Sequence, residues 1–155
     1  MKKVVPILLL IGAMLCALIG KLAYKKYSPT KESISLETLY GVSGSQSALF
    51  FNDELQEAKG ISKNNHIYFP VSWVNQTINQ RFYWDANEQI LVYTLPDTIL
   101  YMDAATLGDG GVPVLILQNQ EAYLSDELIT KYTDLRIETF QEEVIRTFVD
   151  NRWET

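Results

Sequence analysis

The stretch HIYFPVSWVNQTINQRFYWDANEQILVYT, residues 66–94, decides how this chain is read. His66–Phe69 is a short apolar run of strand character, closed by Pro70, which cannot extend a ladder. Val71–Ile78 then puts Val71, Val74 and Ile78 at helical spacing. Phe82–Trp84 and Gln89–Thr94 flank the polar tetrad Asp85-Ala86-Asn87-Glu88, the pattern of a hairpin. Upstream, Ala48–Phe51 supplies a leading strand, and Asn52, Asp53 and the polar residues through Gly60 read as turn.

The same order returns 55 residues later, without gaps, when Ile67–Tyr93 is set against Ala122–Phe148. Tyr68 meets Tyr123, Phe69 meets Leu124, Trp73 meets Leu128, Val74 meets Ile129, Phe82 meets Ile137 and Ile90 meets Ile145. The second copy begins with Val112–Leu117 as a strand, Asn119-Gln120 as a tight turn and Ala122–Leu124 as a strand. Ser125 is a helix N-cap with Asp126 and Glu127 in the first turn, where they complement the helix dipole. Arg136–Phe140 and Val144–Phe148 form the second hairpin. The expectation is an α+β domain over 38–155, built from two strand–strand–helix–hairpin repeats at about 48–97 and 112–150. Asp97–Gly111 joins them, and Thr98–Tyr101 adds a strand.

Ahead of the domain, Val4–Gly20 (VVPILLLIGAMLCALIG) carries no charged side chain. Extended through Tyr24, it is long enough to span a bilayer with Lys21 snorkelling. The expectation is a transmembrane signal-anchor helix at 4–24, a short cytoplasmic start at 1–3 and a polar stalk at 25–37. A buried core helix lacks its amphipathic face here. Signal cleavage after Ala17 or Gly20 would put Leu at the −3 position, and Cys16 lacks the small preceding residue that lipidation favours. Lysines lie on both sides of the span, more of them after it, so their count opposes an N-in orientation. The basic start followed at once by an apolar run has the form of an export signal and favours it.

Composition narrows the chemistry. From Tyr27 onward there are 8 basic residues against 19 acidic, a net of −11, which disfavours nucleic acid and anionic membrane surfaces as partners. The only Cys is Cys16, so the domain has no disulfide framework and no thiol nucleophile. The only His is His66, which reads as a solvated or turn histidine; clustered imidazole or thiolate metal ligands are missing from the sequence. Asp85 with Glu88, and Glu142 with Glu143, fall on hairpin tips, where they serve turns and solubility better than a glycosidase site. Gly108-Asp109-Gly110-Gly111 lacks the Lys-Ser/Thr and helix start of a phosphate loop and reads as a flexible linker. The sequence therefore assigns no catalytic, cofactor or metal residues and no enzyme activity.

Aromatic side chains carry the remaining functional signal. Trp73, Tyr83, Trp84, Tyr93, Tyr101, Tyr123 and Trp153 are able to stack on sugar rings, but most stand at core-facing spacing. Tyr83, Trp84 and Tyr93 are the candidate glycan contacts. Tyr83 is the one expected outside, because it alternates with Phe82 and Trp84.

Residues 66–97 resemble the copper amine oxidase-like N-terminal domain of Gram-positive bacteria. The features are Tyr68-Phe69-Pro70 before a helix, Arg81-Phe82-Tyr83-Trp84-Asp85, and Glu88-Gln89 leading into Leu91-Val92-Tyr93-Thr94. The nearest likeness is to the version set between a membrane anchor and a glycoside hydrolase family 18 domain in cell-envelope proteins. The resemblance implies a non-catalytic spacer or presentation module, single-pass at the cell membrane, its soluble domain extracytoplasmic near the cell wall. A peptidoglycan- or chitin-like glycan-binding module is the alternative. Such architectures continue into a hydrolase domain, so a third expectation is the anchor portion of a truncated family 18 protein. The implied partners are the bilayer, through 4–24, and cell-wall glycan or a downstream or partner hydrolase domain.

Overall fold

A computed structural model describes residues 14, 16–21, 24 and 33–151. It divides into two compact units, Met1–Ile34 and Ser35–Thr155. In the first, the described residues 14, 16–21 and 24 are helical and exposed. Among the described residues no helix is long and apolar enough to cross a membrane. Most of the 4–24 segment expected to do so lies outside them, as do the cytoplasmic start at 1–3 and most of the stalk.

The second unit corrects the α+β expectation. Strand accounts for 45% of the structure and helix for 22%, and the strands form two sheets. Among the described residues the ten strands are β1 (Gln46–Phe51), β2 (Glu54–Lys63), β3 (His66–Pro70), β4 (Phe82–Asp85), β5 (Ile90–Thr94), β6 (Ile99–Met102), β7 (Leu115–Gln118), β8 (Glu121–Ser125), β9 (Arg136–Gln141) and β10 (Ile145–Asp150). The helices are α1 (Leu36–Tyr40), α2 (Val71–Trp73), running on as a π turn over Val74–Ile78, and α3 (Asp126–Tyr132). Apolar residues at helical spacing do mark α2 and α3, but α3 has only seven residues and α2 three. They connect strands and are too short to form a layer of their own. Ser125 does cap α3, its side chain accepting from the Leu128 N–H.

The large sheet has the order β7-β8-β3-β2-β1-β10-β9, and β4-β5-β6 form a separate sheet. All neighbours are antiparallel except β1 with β10. Three hairpins close through two-residue turns with both central residues at positive φ: Asn52-Asp53, Asn64-Asn65 and Asn119-Gln120. That geometry matches the twist of the flanking strands, and Asn tolerates it better than most residues. Of the residues read as turn, Asn52-Asp53 are one, while Glu54–Gly60 belong to the ten-residue β2, which also displaces Ala48–Phe51 as the leading strand of the first copy. Its polar side chains hid it, since much of the strand faces water. At Gly60 an added Cβ would come within 3.0 Å of the Leu49 side chain, so the strand packs closest where it has no side chain.

The order strand, strand, helical turn, hairpin occurs twice, as β2–β3–α2–β4–β5 and as β7–β8–α3–β9–β10. Ile61 pairs with Tyr68, and Ile116 with Tyr123, so the two registers coincide under a shift of 55. β3 and β8 then pair with each other, antiparallel, with Phe69 opposite Leu124. Those two residues are themselves 55 apart, so a pseudo-two-fold axis passes between them. Ile61, Tyr68, Ile116 and Tyr123 cluster around the joint on one face of the sheet. The main core fills the other face, against the inner side of the small sheet and the short helices, and includes Leu49, Phe69, Phe82, Leu91, Leu124 and Ile129.

Candidate functional site

The exposed face of the three-stranded sheet is where side chains with recognition chemistry collect. Strand alternation sends Phe82, Leu91, Tyr93 and Met102 into the core. It sends Tyr83, Val92 and Tyr101 the other way. Register pairs Tyr83 with Val92 and Val92 with Tyr101, so the three form one row across β4, β5 and β6. Tyr83 is 60% exposed and Tyr101 67%. Adjacent strands lie about 4.8 Å apart, which sets the bases of the two tyrosines roughly 10 Å apart.

Polar groups frame the row on both sides. On one side Thr94 pairs with Ile99, and its N–H donates to the Arg81 carbonyl at 3.3 Å, bringing Arg81 alongside. On the other, Asp85 pairs with Ile90, and Asp103 follows β6. The Asp85 carboxylate accepts from the N–H groups of Asn87 (2.9 Å) and Glu88 (3.2 Å), so it shapes the hairpin turn. The Thr106 hydroxyl and the Ala105 N–H hold the Asp103 carboxyl below its ordinary range. Exposed aromatic faces with donors and acceptors beside them suit a ligand with apolar ring faces and polar edges, such as a sugar.

The three expected glycan contacts part company. Tyr83 stands in the row. Trp84 is half-buried, turned to the core side, and borders a groove beyond the β4 edge. Tyr93 is corrected: it is 2% exposed, its ring between Phe82 (4.3 Å) and Tyr132 (4.7 Å), and its hydroxyl donates to the Tyr132 carbonyl at 3.3 Å. It belongs to the core because it pairs with the inward Phe82. Tyr101 takes its place on the outer face. Alternation within Ile99–Met102 hints at this, but the pairing of β6 with β5 is a tertiary fact.

The groove beyond β4 has a volume of about 360 Å³ and lies between that strand, the α2 segment and the β7–β8 turn. Glu121 borders it, accepting from Ser72 Oγ at 3.2 Å and from the Tyr123 hydroxyl at 3.0 Å. Burial, and then the Glu121 carboxylate, push the Tyr123 hydroxyl up to about 12 from 10.0. A raised pKa stabilises the fold fully below pH 10.0 and ceases to do so as pH climbs to about 12. Tyr68, raised mainly by burial, adds to the same loss. Tyr123→Phe is therefore expected to show a shallower fall in stability above pH 10 than the parent. Denaturant unfolding on both sides of that pH checks this, and equal slopes refute it.

His66 is not a solvated turn residue. Its Nδ1 lies 2.8 Å from Asp126 Oδ1, and Asp126 Oδ2 accepts from the Ile67 N–H at 3.2 Å. The pair joins the first copy to the second across β3 and α3. Among the described residues no three His, Cys, Asp or Glu stand together as metal ligands. The Gly108–Gly111 segment is held in place, contrary to a free linker. The Asp109 N–H donates to Glu127, and Lys131 pairs with Asp109 at 3.2 Å.

Fold and site together define a mostly β, internally repeated domain with an exposed tyrosine row. No family model matches the chain, and neither a curated protein nor a solved structure matches it.

Proposed function

We propose that this protein is a non-catalytic cell-envelope module that binds glycan across Tyr83–Val92–Tyr101. The resemblance to copper amine oxidase-like N-terminal domains is part of the proposal. So is a bilayer tether through residues 4–24, with the acidic domain on the extracytoplasmic side. The observation that carries the binding role is the pair of exposed tyrosines in one register row. Stacking of this kind reads the C–H face of a pyranose ring and distinguishes little among equatorial substituents at its rim. The acidic surface favours neutral over anionic polymers. The test is retention of the full-length chain on insoluble β-1,4-linked polysaccharide and on purified cell wall. Retention above that of an acidic control protein is expected. None on either material would leave only a spacer role.

A further inference from the structure

The tyrosine row ends at β4, an edge of its sheet, and the groove opens just past that edge. Tyr83 belongs to both, so a polymer extended over β6, β5 and β4 runs on into the groove. Its apolar wall takes in Val71, Phe82, Trp84, Ala86 and Ala122. Its polar lining includes Gln76 and Gln120, which carry side-chain amides, and Glu121, which carries a carboxylate.

The internal repeat supplies a comparison. Shifting by 55 carries Val71 to Asp126, Phe82 to Ile137 and Trp84 to Thr139, and carries Glu121 back to His66. All four destinations border a second cavity of about 300 Å³, so the two grooves are pseudo-two-fold twins. In the twin the polar residues satisfy each other, His66 closing on Asp126 at 2.8 Å. In the groove beside Tyr83 the position matching Asp126 is Val71, which offers Glu121 no partner. Glu121 is instead held by the Ser72 and Tyr123 hydroxyls, one on each oxygen. An ionised carboxylate has about four acceptor positions, so roughly half its capacity stays open.

An occupant that fits must offer an N–H to Glu121, a carbonyl to the glutamine amides and a methyl to the apolar wall. We propose that the groove binds the acetamido group of a 2-acetamido sugar whose ring neighbours Tyr83. This rests on the glycan-binding proposal and adds the substituent that stacking alone distinguishes little. A plain hydroxyl leaves the apolar wall uncovered. A free amine pairs with Glu121 but leaves the same wall bare.

The test titrates three β-1,4-linked oligosaccharides of equal length, built from N-acetylglucosamine, glucosamine or glucose, into the full-length chain. The N-acetylated ligand is expected to bind about tenfold more tightly than the glucose ligand, the gain of a charge-assisted hydrogen bond. Glu121→Ala is expected to remove that advantage, lowering affinity for the N-acetylated ligand more than for the glucose ligand. Gln76→Ala, at an exposed helix position, repeats the test if the first variant folds poorly, and should reduce the advantage. Equal affinity for the N-acetylated and glucose ligands overturns the groove assignment while the tyrosine row stands. Tightest binding of the glucosamine ligand overturns it in favour of an amine site. Failure of all three to bind removes the glycan proposal, and this one with it.

Discussion

Replacing Tyr83 and Tyr101 together by Ala is expected to weaken glycan binding about a hundredfold while the domain stays folded. A sugar stacked on one tyrosine face covers on the order of 60 Å², worth about 1.5 kcal/mol, or about tenfold in affinity. The two positions lie roughly 10 Å apart with Val92 between them, a distance at which effects nearly add. Each single variant should therefore lose about tenfold. Both rings are mostly in water, so their removal costs little packing, and exposed strand positions change stability by about 1 kcal/mol at most. Binding measured by calorimetry, beside an unfolding curve for each variant, separates lost contact from lost fold. A double variant that binds like the parent refutes the tyrosine row.

Phe69→Ala is expected to cost about 3–5 kcal/mol of stability, the usual range for deleting a buried phenylalanine. Phe69 is fully buried at the β3–β8 joint, opposite Leu124, with its ring stacked on Trp73 at 5.8 Å. The strands on either side fix the backbone, so the cavity closes only partly. Leu124→Ala should fall in the range of about 2–5 kcal/mol, and the double variant should lose less than the sum because both open the same space. Urea unfolding reads the shift in midpoint, and an unchanged slope shows that the denatured state is the same. A loss below about 1 kcal/mol for Phe69→Ala would mean that the joint is not where the two copies hold together.

Some of this architecture is plain in the residues. Asn119-Gln120 between two apolar runs is a tight turn, and Ser125 followed by Asp126 and Glu127 is a helix start. Both are local events, fixed by φ preference and by side chains that reach their own backbone. Tyr83 between Phe82 and Trp84 is legible as outward-facing for a similar reason, since alternation is a property of one strand. β2 was hidden because Glu54, Glu57 and Lys59 make a strand look like loop. The balance of sheet over helix is not legible there, because helical spacing reveals that a turn of helix forms and says nothing about how much sheet surrounds it.

What the sequence determined by itself is the 55-residue repeat, the turns and caps that punctuate it, the acidic surface and one exposed tyrosine. The repeat is read by setting the sequence against itself; the others depend on neighbours a few residues away, or on composition. Only the tertiary structure decided that β1 joins β10, that β6 adds to β5, and that Tyr101 stands in the row while Tyr93 lies in the core. Those outcomes turn on which strand lies beside which, a choice between long-range pairings made by the packing of the whole core and left unwritten in any local pattern.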